Sequence, residues 1–285
     1  MAAPRVLLDG LSFGESPRWR DGRLWVCDWG TQEILAVDPE TGASEVEVRL
    51  DADGFQPICI DWLPDGRLII VSSRGRALRR READGSLVVH ADLSHIFDRG
   101  LNEIVVDGRG NAYVNGGGFD LMAGEEFAPG AIALVAPDGS AREVANGIAF
   151  PNGMAVTADG STLIVAESYA NCLTAFRIEP DGGLAERRVW AGTGDDHPDG
   201  ICIDADDAVW YGDVGNGRAV RIRAGGEVLE SIELDRGCFA CMLGGEDGRT
   251  LFMVTRLWRG TDLDLEQRTG QVLAARAPAP HAGRP

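Results

Sequence analysis

IDWLPDGRLIIV (60–71), VDGRGNAYV (106–114), VTADGSTLIVA (156–166), IDADDAVWYGD (203–213) and LGGEDGRTLFMV (243–254) are versions of one pattern: a short apolar run, a turn rich in Asp and Gly, and a second apolar run. The turn residue falls at 66, 110, 160, 207 and 248, and an earlier copy, WRDGRLWV (19–26), puts it at Gly22. The intervals lie between 41 and 50 residues, so six imperfect copies of one unit fill the chain. Each unit reads as strand, tight turn, strand, loop, strand, a second turn such as DPETG (38–42) or PDG (137–139 and 180–182), and a fourth strand. Four antiparallel strands per repeat of this length are the signature of a propeller blade. The expectation is an all-β, six-bladed β-propeller with four antiparallel strands per blade, one domain spanning 1–285. The sixth copy lacks a fourth strand, because after QVLAARA (271–277) only PAPHAGRP follows, too rich in Pro and Gly to pair. Residues 5–8 are spare at the other end, and pairing them there closes the ring, burying Val6, Leu7 and Leu8 and removing the free edges. No G-x-G-x-x-G and no alternation of strands with amphipathic helices supports a doubly wound fold.

Composition narrows the partners. Twenty-seven basic against 45 acidic residues give a formal net charge of −18, which neither nucleic acid nor an anionic membrane surface would attract. All the basic residues are Arg, so Schiff-base chemistry, pyridoxal phosphate attachment and the P-loop lysine are excluded. No apolar run reaches membrane-spanning length, and MAAPRVLLDG lacks the features of a signal peptide, so a cytoplasmic protein acting on a small molecule is expected. The six cysteines lie mostly in apolar strand-like runs, and Cys238-x-x-Cys241 has no partner pair at zinc-site spacing, so all read as structural thiols.

In a propeller the first strand of each blade lines the central channel. Eight residues before the turn marker lie Ile58, Asn102, Asn152, Asp199 and Ala240, and Glu15 joins them if the turn after Trp19 is one residue shorter. That ring holds four oxygen-bearing side chains and no Arg. Buried carboxylates without cationic partners are costly, and a bound cation resolves the cost. Carboxylates and carboxamide oxygens are hard ligands, suited to Ca²⁺, Mg²⁺ or Mn²⁺ and acceptable to Zn²⁺ or Fe²⁺. Read singly, PNG (151–153) and PDG (198–200) are ordinary turn tripeptides; four polar residues in register on one ring favour the site.

FGESPRW (13–19), LNEIVVD (101–107), PNGMAV (151–156) and PDGICID (198–204) together resemble the senescence marker protein, gluconolactonase and luciferin-regenerating enzyme family over essentially the whole chain. The resemblance implies a six-bladed propeller in which Glu15, Asn152 and Asp199 hold one divalent metal, calcium foremost. It also implies that Asn102 contacts substrate or a metal-bound water, and that lactone hydrolysis is the commonest activity. One departure is that Gly100 stands two residues before Asn102, where members acting on sugar lactones often carry Arg; Arg99 is one step off.

Lactone opening needs a nucleophilic water and charge stabilisation on the carbonyl oxygen, and one metal ion can serve both needs. Asp199 is the candidate base, since it can ligate through one oxygen and take a proton through the other, whereas Asn102 and Asn152 cannot accept a proton. His197 is either a second base or a loop residue shaping the entrance. No G-x-S-x-G elbow supports a covalent route. Strand parity puts Trp29, Arg74, Tyr169, Asp213 and Asn216 on the same face as the ring. The long loops 116–129 and 256–269 fall there too, with Phe119, Met122, Leu257 and Trp258 suggesting a partly apolar pocket. The expected function is a divalent-metal-dependent lactonase; the alternatives are an organophosphate or ester hydrolase on the same ring, or a non-catalytic cation- or protein-binding propeller.

Overall fold

A computed structural model describes residues 3–50, 58–260 and 264–283. Its strands form six four-stranded antiparallel sheets, and no helix occurs among the described residues, hence none long and apolar enough to cross a membrane. The innermost strands are Gly14–Arg20, Ile60–Trp62, Leu101–Val106, Pro151–Val156, Pro198–Ile203 and Gly237–Gly244. Each adjoins the next, and the sixth adjoins the first, so the sheets close into a six-bladed propeller around a central channel.

The turn chemistry explains why the repeat folds this way. All six markers sit at positive φ: Gly22, Gly66, Gly110, Gly160 and Gly248 between 70° and 87°, and Asp207 at 58°. Glycine takes that conformation freely and Asp tolerates it, so the marker marks a backbone demand. The first blade alone uses a two-residue turn, Asp21 and Gly22, both at positive φ, between the paired Arg20 and Arg23. The shorter first turn inferred from the sequence is therefore present.

Adjacent blades are held by six apolar clusters, one at each blade-to-blade interface. The cluster between the sixth and first blades contains Leu7, Leu11, Leu24, Phe252 and Val272, and it depends on the N-terminal strand. That strand is longer than the four residues expected. It runs Arg5–Leu11 and pairs antiparallel with Gly270–Arg276 as the outermost strand of the sixth blade, Arg5 opposite Ala274 and Leu11 opposite Gly270. Leu7 and Leu11 are buried and Leu8 is partly buried against the same cluster, but Val6 is 52% exposed, because an edge strand meets the first blade on one side only and the register slips between Val6 and Leu8.

The C-terminal segment corrects a second expectation. Despite its prolines, it returns along the end of the channel opposite the ring and pairs: Asp204 and His281 form an isolated bridge, Ala205 N donates to Pro280 O (2.8 Å), and His281 N donates to Gly248 O (2.9 Å). It ties the fifth blade to the sixth. All six cysteines are free and buried.

Replacing Leu7 by Ala should cost about 2–3 kcal/mol and lower the melting temperature by roughly 5–10 °C, whereas Val6→Ala should shift it by less than about 2 °C. Thermal denaturation of the two variants measures the difference; equal shifts would contradict closure by this strand.

Candidate active site

The ring residues lie where the innermost strands are irregular. In the third, fourth and fifth blades the register with the second strand slips between Leu101 and Ile104, between Pro151 and Met154, and between Pro198 and Ile201. Asn102, Asn152 and Asp199 fall inside these bulges. A bulge adds one residue to one strand of a pair and re-aims its side chain, which is how three polar groups leave the strand alternation and face the channel mouth. In the first blade the slip comes after the ring residue, between Glu15 and Arg18. Ile58 and Ala240 complete the ring as buried apolar positions.

A cavity of about 580 Å³ opens over this floor, lined by Glu15, Asn102, Asn152 and Asp199 below and largely by aromatic side chains above. Glu15, Asn152 and Asp199 are each less than 10% exposed. Asn102 Nδ2 donates to Pro151 O (3.2 Å) and Asn152 Oδ1 (3.3 Å), and Asn152 Nδ2 reaches Ser168 Oγ (3.4 Å). Both amide nitrogens thus bond to the wall, and the carbonyl oxygens keep lone pairs for a ligand. Asp199 Oδ1 is buried with no hydrogen-bond partner.

The electrostatics follow. Burial pushes the Glu15 carboxyl well above its ordinary range, and the charges of Asp199 and Glu103 push it further. Asp199 is raised in the same way, by burial first and then by Glu103 and Asp213. Glu103, which the sequence reading passed over, sits one position beyond Asn102 and brings a third carboxylate to the channel. It has its own cation: Arg18 Nη2 lies 3.3 Å from Glu103 Oε2 and also donates to Ile104 O (2.7 Å). The channel therefore holds an Arg one layer below the ring, spent on Glu103. Among the described residues no cluster of three or more His, Cys, Asp or Glu with metal-site geometry occurs; the ring offers two carboxylates and two carboxamides. An orphaned carboxylate oxygen beside a second buried acid, with only oxygen donors around, fits a hard divalent cation.

In the first, fourth and fifth blades a clamp at the end of the second strand holds the segment entering the ring. Asp28 accepts from Ser12 N (3.0 Å) and Phe13 N (2.9 Å), just before Glu15. Glu167 accepts from Ala149 N (2.7 Å), before Asn152, and Asp213 from His197 N (3.3 Å), before Asp199. In the third blade Asn115 Oδ1 accepts from Glu103 N (3.0 Å), and its Nδ2 donates to Asn152 O (2.7 Å). Asp28, Glu167 and Asp213 share one place in the repeat, ending VCD (26–28), VAE (165–167) and YGD (211–213) opposite the residue before the ring position, whereas in the third blade that place is Gly116 and Asn115 lies one position earlier; an acid closing the second apolar run is the signal these three repeats carry.

Of the pocket residues expected from strand parity, Trp29 and Tyr169 line the main cavity. Arg74 lines an adjoining one of about 610 Å³. Asp213 and Asn216 lie behind His197 instead, Asn216 Nδ2 donating to Asp213 Oδ2 (2.8 Å). From the long loops, Met122 and Trp258 reach the main cavity, Phe119 packs behind it against Phe150 and Tyr169, and Leu257 lies outside the lining. His197 lines the cavity; its Nδ1 lies 2.9 Å from Ser168 O, a carbonyl that can only accept, and 3.3 Å from Asn171 Nδ2, which donates to Asp196 O (2.7 Å), so Nδ1 is assigned as the donor to Ser168 O.

Residues 13–256 match the family model described as the SMP-30/Gluconolactonase/LRE-like region. The chain is similar to the lactonase drp35 of Staphylococcus aureus, 28% identical over 225 residues covering 75% of this chain and 65% of that protein, so it spans less than two thirds of that relative's length. It is also similar to the pentonolactonase XacC of Haloferax volcanii, 25% identical over 261 residues, 90% of this chain and 85% of that one. Among solved structures, a calcium-binding protein, regucalcin from Agrobacterium tumefaciens, shares the fold with a TM-score of 0.78 at 22% identity, over 99% of this chain and 95% of that one. With a family model covering most of its length and the fold to match, the chain belongs to the SMP-30/gluconolactonase/LRE-like family.

Proposed function

We propose that the protein is a lactonase whose site is completed by one divalent cation, calcium foremost, held by Glu15, Asn152 and Asp199. The observation that carries the reading is the buried pair Glu15 and Asp199: two acids facing one cavity, neither paired with a cation among the described residues, one with an orphaned oxygen. Its relatives' activity toward lactones agrees with that chemistry. The cation supplies Lewis acidity toward the lactone carbonyl.

The chain's own residues do the rest. Asn102, fixed by its bonds to Pro151 O and Asn152 Oδ1, orients the substrate at the cavity floor. Asp199 takes a proton from the attacking water as the water oxygen bonds to the carbonyl carbon. That proton then goes to the ring oxygen as the acyl carbon–oxygen bond breaks, leaving the hydroxy acid. The aromatic walls keep bulk water away from the floor. His197 lines the same cavity and serves as an accessory acceptor.

Two outcomes test this. Without divalent cation, Glu15 and Asp199 are protonated more readily in the fold than in the unfolded chain. The stability this gives is present below the ordinary carboxylate range and is lost as pH rises towards their raised values. Glu15→Gln and Asp199→Asn should therefore melt higher than the parent at neutral pH in chelator, by a few degrees, and gain less from added calcium chloride. A parent protein whose melting temperature ignores every divalent cation would remove the cation from the reading.

The second outcome concerns the base. Asp199→Asn should lose turnover by on the order of a hundredfold or more on any lactone hydrolysed, and His197→Gln by less than about tenfold. Steady-state kinetics with metal analysis of each variant decides; the reverse order would assign the base to His197.

A further inference from the structure

The cavity over the ring is divided sharply by height. Its floor carries the acids and amides, while its walls are built from rings locked to one another. On one side Phe13 packs on Trp29 (4.7 Å between centroids) and on Phe239 (4.8 Å), which meets Trp258 (5.6 Å). On the other, Phe150 packs tilted on Tyr169 (4.8 Å), and Phe119 and Phe127 of the 116–129 loop pack against them. The walls are held in place: Asp28 fixes the Phe13 backbone, the Arg256 guanidinium covers the Phe13 ring at 5.3 Å, and Trp29 Nε1 donates to Ile58 O (2.8 Å). At the mouth, Met122, Phe127 and Tyr169 are each about half exposed. An apolar lip of this kind, continuous with a cavity, is the surface an apolar ligand covers.

The polar side chains above the floor of this cavity are few, Ser168, Tyr169 and His197, while Arg74, Asp98 and Arg99 line the adjoining one. Ser168 Oγ donates to Pro198 O (2.8 Å) and meets the Asn152 amide, His197 Nδ1 bonds to Ser168 O, and Arg99 is held in two bonds by Glu125 (2.9 and 3.0 Å). A ligand with several hydroxyl groups would leave most of them without partners on entry, and unpaired buried polar groups are rejected far more strongly than an extra methylene is favoured.

We infer that the substrate is a lactone carrying an apolar alkyl or aryl substituent seated among Trp29, Met122, Tyr169 and Trp258, with the lactone ring on the floor and not a polyhydroxylated sugar lactone. The inference rests on the lactonase reading for its reacting group and on the walls for its substituent. The test compares three γ-lactones, γ-butyrolactone, γ-nonalactone and ribono-γ-lactone, on the full chain in calcium, magnesium, manganese or zinc chloride. The expected kcat/KM for γ-nonalactone is at least tenfold above that for γ-butyrolactone, with the gain in KM, and ribono-γ-lactone is the poorest of the three. Met122→Ser and Trp258→Ser each shrink the γ-nonalactone to γ-butyrolactone ratio, and Trp258→Phe keeps it. Ribono-γ-lactone turned over as well as γ-nonalactone, or better, overturns the inference and leaves the lactonase reading standing. If no lactone is hydrolysed, that reading fails, and binding decides the inference: γ-nonalactone should still give a saturable change in tryptophan fluorescence that Met122→Ser weakens, and no saturable change overturns it.

Discussion

The pairing of Arg5–Leu11 with Gly270–Arg276 is the constraint on which the site depends. Glu15 follows the first of these strands closely and Asp199 lies most of the chain away, yet the two must face one cavity. Five of the six blade interfaces are formed between units consecutive in sequence. Only the sixth joins the ends, and it does so by lending the last blade a strand and inserting Leu7 and Leu11 into the cluster with Leu24, Phe252 and Val272. Closing so long a loop costs little more than closing a short one, because the entropy grows only with the logarithm of length, and a modest apolar cluster suffices to hold it. Were that interface to open, Gly14–Arg20 would separate from Gly237–Gly244, and Glu15 would leave the ring with it.

What the closed ring holds is electrostatically unfavourable by itself. Glu15, Asp199 and Glu103 act on one another through a region from which water is largely excluded, and among the described residues only Glu103 has an Arg. Arg18 could have been placed to relieve the ring, being three residues along the same strand from Glu15; the bulge between them turns it downward to Glu103, Ile104 and Pro17. The structure thus neutralises the carboxylate below the ring and leaves the two at the cavity floor uncompensated. Uncompensated buried charge is a stability cost that folds retain where ligand binding or chemistry uses it.

How much of this was legible in the sequence depended on what the repeat could carry. The marker positions at 22, 66, 110, 160, 207 and 248 reported a backbone conformation, and a conformation that recurs six times survives imperfect alignment; blade number, strand count and ring register all followed from it. Leu7 was read correctly and Val6 was not, because a strand at the rim is buried on one side and the sequence does not say which side. The bulges were invisible, since one extra residue in a strand leaves no mark on an apolar pattern this short. Glu103 was passed over because it neighbours a ring residue in a motif read for Asn102, and its partner Arg18 lies in another blade. The tail at 278–283 read as unpaired from its prolines, yet Pro280 contributes only its carbonyl oxygen, the one backbone hydrogen-bonding atom it has.

Floor and walls are built from different parts of the chain, and that division sets what each can do. The floor comes from innermost strands, packed on both neighbours, with positions fixed by sheet pairing. The walls come from segments that enter the ring, from the 116–129 loop and from Trp258 of the 256–269 loop, of which 261–263 lie outside the described residues; in loops, length and composition are free to vary between relatives of one fold. Asp28, Glu167 and Asp213 join the two, since each ends a second strand and grips the backbone that carries both a wall residue and, two or three positions on, a floor residue. Phe13 with Glu15, Phe150 with Asn152 and His197 with Asp199 are therefore positioned as pairs. A loop can change the substituent a site accepts without moving the floor, whereas loss of a clamp displaces wall and floor together. Such a change would impair binding of the substituent and chemistry on the ring at once, although the clamp itself touches neither.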